Sequence, residues 1–176
     1  IPQNAGSFDL VVIGGGIAGM SAAVTAARLG VKVALIHDRP VLGGNNSSEV
    51  RVHLGGRIGV KPYKELGALQ KEFGPLRGGN AQPGEFYEDD KKAKIIAEEE
   101  NISFFPNYHA FAVEMNGNKI QKVIAKHIET GMEMAFEGAV FSDCTGDGTI
   151  GYLAGADYKM GRESKTEFNE STAPEQ

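Results

Sequence analysis

The stretch Val11-Val12-Ile13-Gly14-Gly15-Gly16-Ile17-Ala18-Gly19 joins two patterns that no single element can carry. Before it, residues 8–13 form a short apolar run of the buried parallel-strand type. After it, residues 17–29 are rich in alanine and small side chains and stop at Gly30, a residue suited to a helix C-terminus. Residues 31–36 are apolar and β-prone again. Strand, crossover helix and strand within about 30 residues is a βαβ unit, and its hand should be right.

The turn between the first strand and the helix satisfies G-x-G-x-x-G at Gly14, Gly16 and Gly19. Each glycine has a separate physical task. Gly14 allows the tight turn, Gly16 lets the backbone approach a pyrophosphate, and Gly19 lets the helix pack closely on the sheet. The pyrophosphate then meets free N–H groups and the positive end of the helix dipole. The pattern alone is weak, and a ligand-free glycine turn competes with it. Its place between a strand and a helix is the context the motif requires. The acid that usually meets a ribose would fall at His37, and Asp38 stands one position later. Asp38 reads either as a ribose-binding carboxylate or as a solvated strand-end residue. His37 reads either as a donor to the ribose or as a strand cap. Arg39 leaves a 2′-phosphorylated dinucleotide open.

Farther out, residues 41–59 are loop-like, with Gly43-Gly44 and Gly55-Gly56 around an Asn/Ser cluster. Residues 63–73 predict a helix ended by Gly74-Pro75, and residues 77–84 a turn-rich break. Residues 87–100 predict a polar helix with Ala93, Ile96 and Ala97 inside, and residues 102–105 a third strand. Residues 110–115 and 119–128 predict a hairpin turning at Asn116-Gly117. A turn at Thr130-Gly131 and a strand over 133–136 complete an antiparallel meander. A separate apolar strand over 139–144 then leads into a short helix over 149–154. The expected architecture is α/β: a Rossmann-like parallel sheet with helices and a three-strand antiparallel β-meander.

Composition narrows the partners. The chain has 176 residues, a net charge of -5 and 18 scattered basic residues, which argues against nucleic acid and anionic membrane surfaces. The uncharged stretch 10–27 reaches the lower length limit of a spanning helix, but three consecutive glycines would break it. The single cysteine, Cys144, excludes an internal disulfide and a cysteine-based zinc site, and suits a reducing compartment, the cytoplasm before others. No His/Asp/Glu cluster has metal-ligand spacing.

Three elements together resemble the glutathione-reductase-type FAD-binding superfamily, and within it the broad FAD-dependent oxidoreductase family. They are the glycine fingerprint, Arg39-Pro40-Val41-Leu42-Gly43-Gly44 after the second strand, and Phe141-Ser142-Asp143-Cys144-Thr145-Gly146-Asp147-Gly148 after the meander. The last is similar to the family's distal A-T-G-D-G element, with Cys144 in the alanine position. The resemblance runs from Phe8 to Tyr158 and departs at His37, where the family usually has Glu. It implies a non-covalent FAD, with Thr145, Gly146 and Asp147 near the cofactor and the backbone of Ala110 meeting adenine. Asp147 also reads as the N-cap of the last helix. Gly43, Gly44 and Asn45, with Asn46 and Ser47, would run toward the flavin ring. Glu49, Arg51 and His53 alternate and would share one face of an extended backbone, either at a substrate or as a solvated strand face.

The resemblance further implies that residues 8–158 are an FAD-binding domain, after a tail over 1–7. Residues 159–176 would be a polar tail leading to a separate substrate domain of the same protein. The chain opens at Ile1 and closes on a polar run, so both ends are expected to be cut or processed. The expected function is that of the FAD-binding part of a flavin-dependent oxidoreductase, inactive by itself, on a small-molecule substrate that the residues do not specify. No catalytic side chain stands out. The competing classes are an NAD(P)-dependent dehydrogenase domain and a non-catalytic nucleotide-binding module.

Overall fold

A computed structural model describes residues 1–175 apart from 56–58, 60, 66 and 75–77. Gly56, Pro75 and Arg77, which the sequence placed in turns, lie outside the described residues. Strand β1 (Gln3–Ile13) leads through the glycine turn into helix α1 (Ile17–Arg28) and strand β2 (Val33–His37). Helix α2 (Ala68–Phe73), a 3-10 turn (Gly84–Tyr87) and helix α3 (Asp89–Glu98) follow, then β3 (Ile102–Pro106). Strands β4 (Tyr108–Asn116), β5 (Lys119–His127) and β6 (Glu133–Asp143) precede the short helices α4 (Thr149–Leu153) and α5 (Lys165–Phe168).

All six strands belong to one sheet in the order β3-β2-β1-β6-β5-β4. Strands β3, β2, β1 and β6 run parallel, and β5 pairs antiparallel with β6 and with β4. The α/β class and its Rossmann-like parallel part are therefore as the periodicity predicts.

The core has two halves because β1 alternates. Val12 faces the helices and packs with Met20, Val24, Leu35, Phe73 and Ile96. Val11 and Ile13 face the other way, where the meander covers them with Tyr108, Val123 and Phe136. A T-shaped contact between Phe105 and Phe136, with centroids 4.8 Å apart, ties β3 to β6 inside that half.

Five expectations change. The helix expected over 63–73 starts only at Ala68, after Gly67 at φ 83°. Strand β1 begins at Gln3, five residues before the apolar run, because its early half pairs with β6 from Gln3↔Met134 onward. The third meander strand and the last parallel strand are one continuous strand. Gly138 permits this, since a Cβ there would lie 2.8 Å from Val11 Cγ2. Helix α3 buries Lys92 and Ile96, while Ala93 and Ala97 are exposed. The polar tail carries α5, and Lys165 N–H donates to the Pro174 carbonyl at 2.7 Å. Among the described residues, no helix is long and apolar enough to cross a membrane.

Candidate functional site

The C-terminal ends of β1, β2 and β6 and the start of β4 surround a cleft of about 560 Å³. Crevices outside the carboxyl ends of parallel strands are where such sheets take ligands.

The glycine turn forms one wall. A Cβ on Gly14 would lie 2.1 Å from the Cys144 carbonyl oxygen, so this glycine lets β1 and β6 end side by side. A Cβ on Gly19 would lie 1.8 Å from the Gly14 carbonyl oxygen, so this one seats α1 on the turn. Gly14 and Gly16 line the cleft, and Gly19 does not. Gly16 differs from both: the one atom near its imagined Cβ is Gly44 Cα, at an ordinary 3.9 Å. No protein contact requires glycine there. Helix α1 behind it has no side-chain cap, so its first amides stay available.

His37 does not serve as a ribose donor in this geometry. It is buried, and both ring nitrogens are committed to backbone. Gly15 N–H donates to Nδ1 at 2.9 Å, and Nε2 stands 3.0 Å from the Val41 carbonyl, to which its N–H donates. Burial lowers the imidazole's pKa, so the ring is held neutral. The ring cross-links the glycine turn to the loop after β2. Asp38, next along, is half-exposed on the cleft wall.

The loop after β2 reinforces that cross-link. Gly43 N–H donates to the Gly15 carbonyl at 2.9 Å, and Gly16 bridges Gly43. Gly43 sits at φ 112°, and a Cβ there would strike the Asn46 carbonyl at 2.3 Å. Asn45 is exposed on the cleft, whereas Asn46 and Ser47 are buried and bond backbone carbonyls, Asn46 that of Val52 and Ser47 that of Gly44. Glu49, Arg51 and His53 do not share a strand face. Residues 48–50 turn, and Arg51 takes φ 63°. Glu49 binds Arg39 at 2.9 Å instead.

His53 also lines the cleft. Its backbone N–H and its Nδ1 both meet Asn80 Oδ1, at 3.1 and 2.7 Å. Two donors converge on one carbonyl oxygen, so Nδ1 carries the proton and Nε2 is the acceptor of the neutral ring.

The distal wall is Thr145, Gly146 and Asp147, all lining the cleft. The N-cap reading of Asp147 is corrected, because Asp143 takes that place. Its carboxylate accepts from Ile150 N–H at 2.7 Å, Gly151 N–H at 3.0 Å and Thr145 Oγ1 at 2.7 Å. Burial pushes the Asp143 carboxyl up, but these hydrogen bonds outweigh it and hold the group below the usual range. Asp143 lies just before the conspicuous T-G-D-G run, and nothing in its spacing marks it as the acceptor. Ala110 is buried at the rim, beside Tyr108 and His109. His109 is exposed and lines the cleft.

Residues 9–176 match the family model described as FAD dependent oxidoreductase. The chain belongs to that family. FAD is the cofactor of the family's description. Among curated proteins, the chain is 34% identical over 119 residues to a tRNA uridine 5-carboxymethylaminomethyl modification enzyme of Bacillus thuringiensis (strain Al Hakam), covering 58% of this chain and 19% of that one. It is 45% identical over 70 residues to the glycerol-3-phosphate dehydrogenase of Mycobacterium leprae, covering 40% of this chain and 11% of that one. Among solved structures, the fold matches glycerol-3-phosphate dehydrogenase from Bacillus halodurans complexed with FAD. The TM-score is 0.58 at 14% identity, over 86% of this chain and 37% of that one. The chain thus spans less than a fifth of the length of these curated relatives.

Proposed function

We propose that this chain is the FAD-binding part of a flavin-dependent oxidoreductase of the glutathione-reductase type, with residues 8–158 as its cofactor domain. The observation that carries the reading is Gly16. It lines the cleft, and a side chain there would meet no protein atom closer than an ordinary contact, which is what a backbone that touches a pyrophosphate requires. The N–H groups at the start of α1 receive the phosphates there. Asp38 accepts from the adenosine ribose, and the backbone of Ala110 meets the adenine. Gly43, Gly44 and Asn45 on one wall and Thr145, Gly146 and Asp147 on the other flank the rest of the dinucleotide.

When bound, FAD supplies the two-electron acceptor that no side chain can provide. The chain's residues bind and orient. His53, its ring held at Nδ1 by Asn80, is the side chain on the cleft wall best placed to exchange a proton, through Nε2. Relatives several times longer support a further domain after residues 159–176 that completes the substrate pocket, since pockets favour domain interfaces.

The test is Gly16→Val. A branched side chain would fill the phosphate position, and flavin retention should fall at least tenfold while the fold, read by circular dichroism, is kept. Undiminished flavin would remove Gly16 from the site.

A further inference from the structure

We propose that His109 is a positioning residue for the adenosine ribose, holding Asp38 in the orientation that reads a ribose hydroxyl. The inference rests on the FAD reading above and adds to it a residue from a different part of the fold.

His37 is committed to backbone on both nitrogens, so the task of an acid at the end of β2 passes to Asp38. Asp38 follows the last β2 residue and no longer has a strand to hold its side chain. The pairing His37↔Pro106 sets the end of β3 beside it, and the chain turns at Asn107 with φ 61° to start β4. That turn brings His109 Nδ1 to 3.5 Å from Asp38 Oδ2. The charged groups around Asp38 leave this contact available. His37 Nδ1 is 3.7 Å from Oδ1, but it already accepts from Gly15 and has no proton to offer. Arg39 is committed to Glu49. Arg39 is also the one Lys or Arg among the described residues lining the cleft.

The His109 ring with its proton on Nδ1 therefore donates to Oδ2 and leaves Oδ1 without a donor, as the acceptor for the ribose hydroxyl. The contact is long and both side chains are more than half exposed, so it contributes little to stability. Its effect is orientation. A carboxylate that rotates freely in water loses entropy when it binds a hydroxyl, and one already held by a neighbour loses less.

The experiment compares ADP with 2′-deoxy-ADP on flavin-depleted protein by calorimetry, with FAD binding as the control. A hydrogen bond to a charged acceptor predicts that the wild type prefers ADP by about tenfold. His109→Ala should reduce that preference to about threefold, and Asp38→Ala should abolish it. His109→Asn, whose amide can still donate, should restore most of it. A structural role would weaken both nucleotides by one factor and leave their ratio alone. FAD binding with an unchanged ratio in His109→Ala overturns the inference and spares the reading beneath it. Failure of the wild type to bind either FAD or ADP overturns both.

Discussion

Gly15 is the position that G-x-G-x-x-G leaves open, and in this chain it is constrained. A Cβ there would lie 2.6 Å from His37 Cγ and 2.8 Å from Leu42 Cδ2. The middle glycine of the three is thus the counterpart of the histidine that replaces the usual acid. Gly15→Ala should destabilise the protein by about 1–3 kcal/mol through overpacking. Most of that should vanish in a His37→Ser background, where the ring is gone. Urea unfolding of the two single variants and the double variant measures the coupling; additive costs would mean that ring and glycine do not meet. At this scale the spacing of Gly14, Gly16 and Gly19 was legible because it is a fixed pattern set between a strand and a helix. His37 was not, because its partners are backbone groups of the glycine turn and of the loop 38–42, a meeting that no local pattern reports.

Helix α4 is five residues long, and its immediate N-cap is a glycine without a side chain to offer. The carboxylate of Asp143, at the end of the preceding strand, reaches its first amides instead. Asp143→Ala should cost about 1 kcal/mol, in the ordinary range for a lost cap in partial contact with water. The sign with pH follows from the shift. The folded-state pKa is depressed, so the carboxylate's contribution is present above the unfolded value of about 3.9 and is lost as pH falls through the folded value. Asp143→Asn should therefore flatten the acid limb of the stability curve below about pH 4, the unfolded value; a limb as steep as the wild type's would reject the assignment. The hairpin of β4 and β5 was legible from Asn116-Gly117, although Asn116 pairs with Lys119 and the tip is Gly117-Asn118. The continuity of β6 was not, since a glycine in a strand reads as a break until its neighbour is known. The inner face of α3 was misread for a related reason. Lys92 is buried because its amine donates to the Tyr87 carbonyl at the end of the preceding 3-10 turn, a partner outside the helix.

The whole molecule presents several large apolar side chains to solvent late in the chain, among them Val140, Tyr152 and Tyr158. Together with the short span of the curated relatives that it covers, this predicts that a version extended beyond Gln176 binds FAD more tightly than residues 1–176 alone. Equilibrium dialysis of both should show at least a tenfold difference, and equal affinity would place the whole binding surface within these residues. The path of β6 has a further consequence, in time rather than in space. Ile13 pairs with Asp143, so the two partners of the sheet's central contact are synthesised 130 residues apart. The glycine turn, α1, β2 and β3 have emerged from the ribosome long before the strand that builds the opposite wall. Pairings of such long range are slow to close. An early cofactor would meet half a cradle, and loading waits until β6 docks.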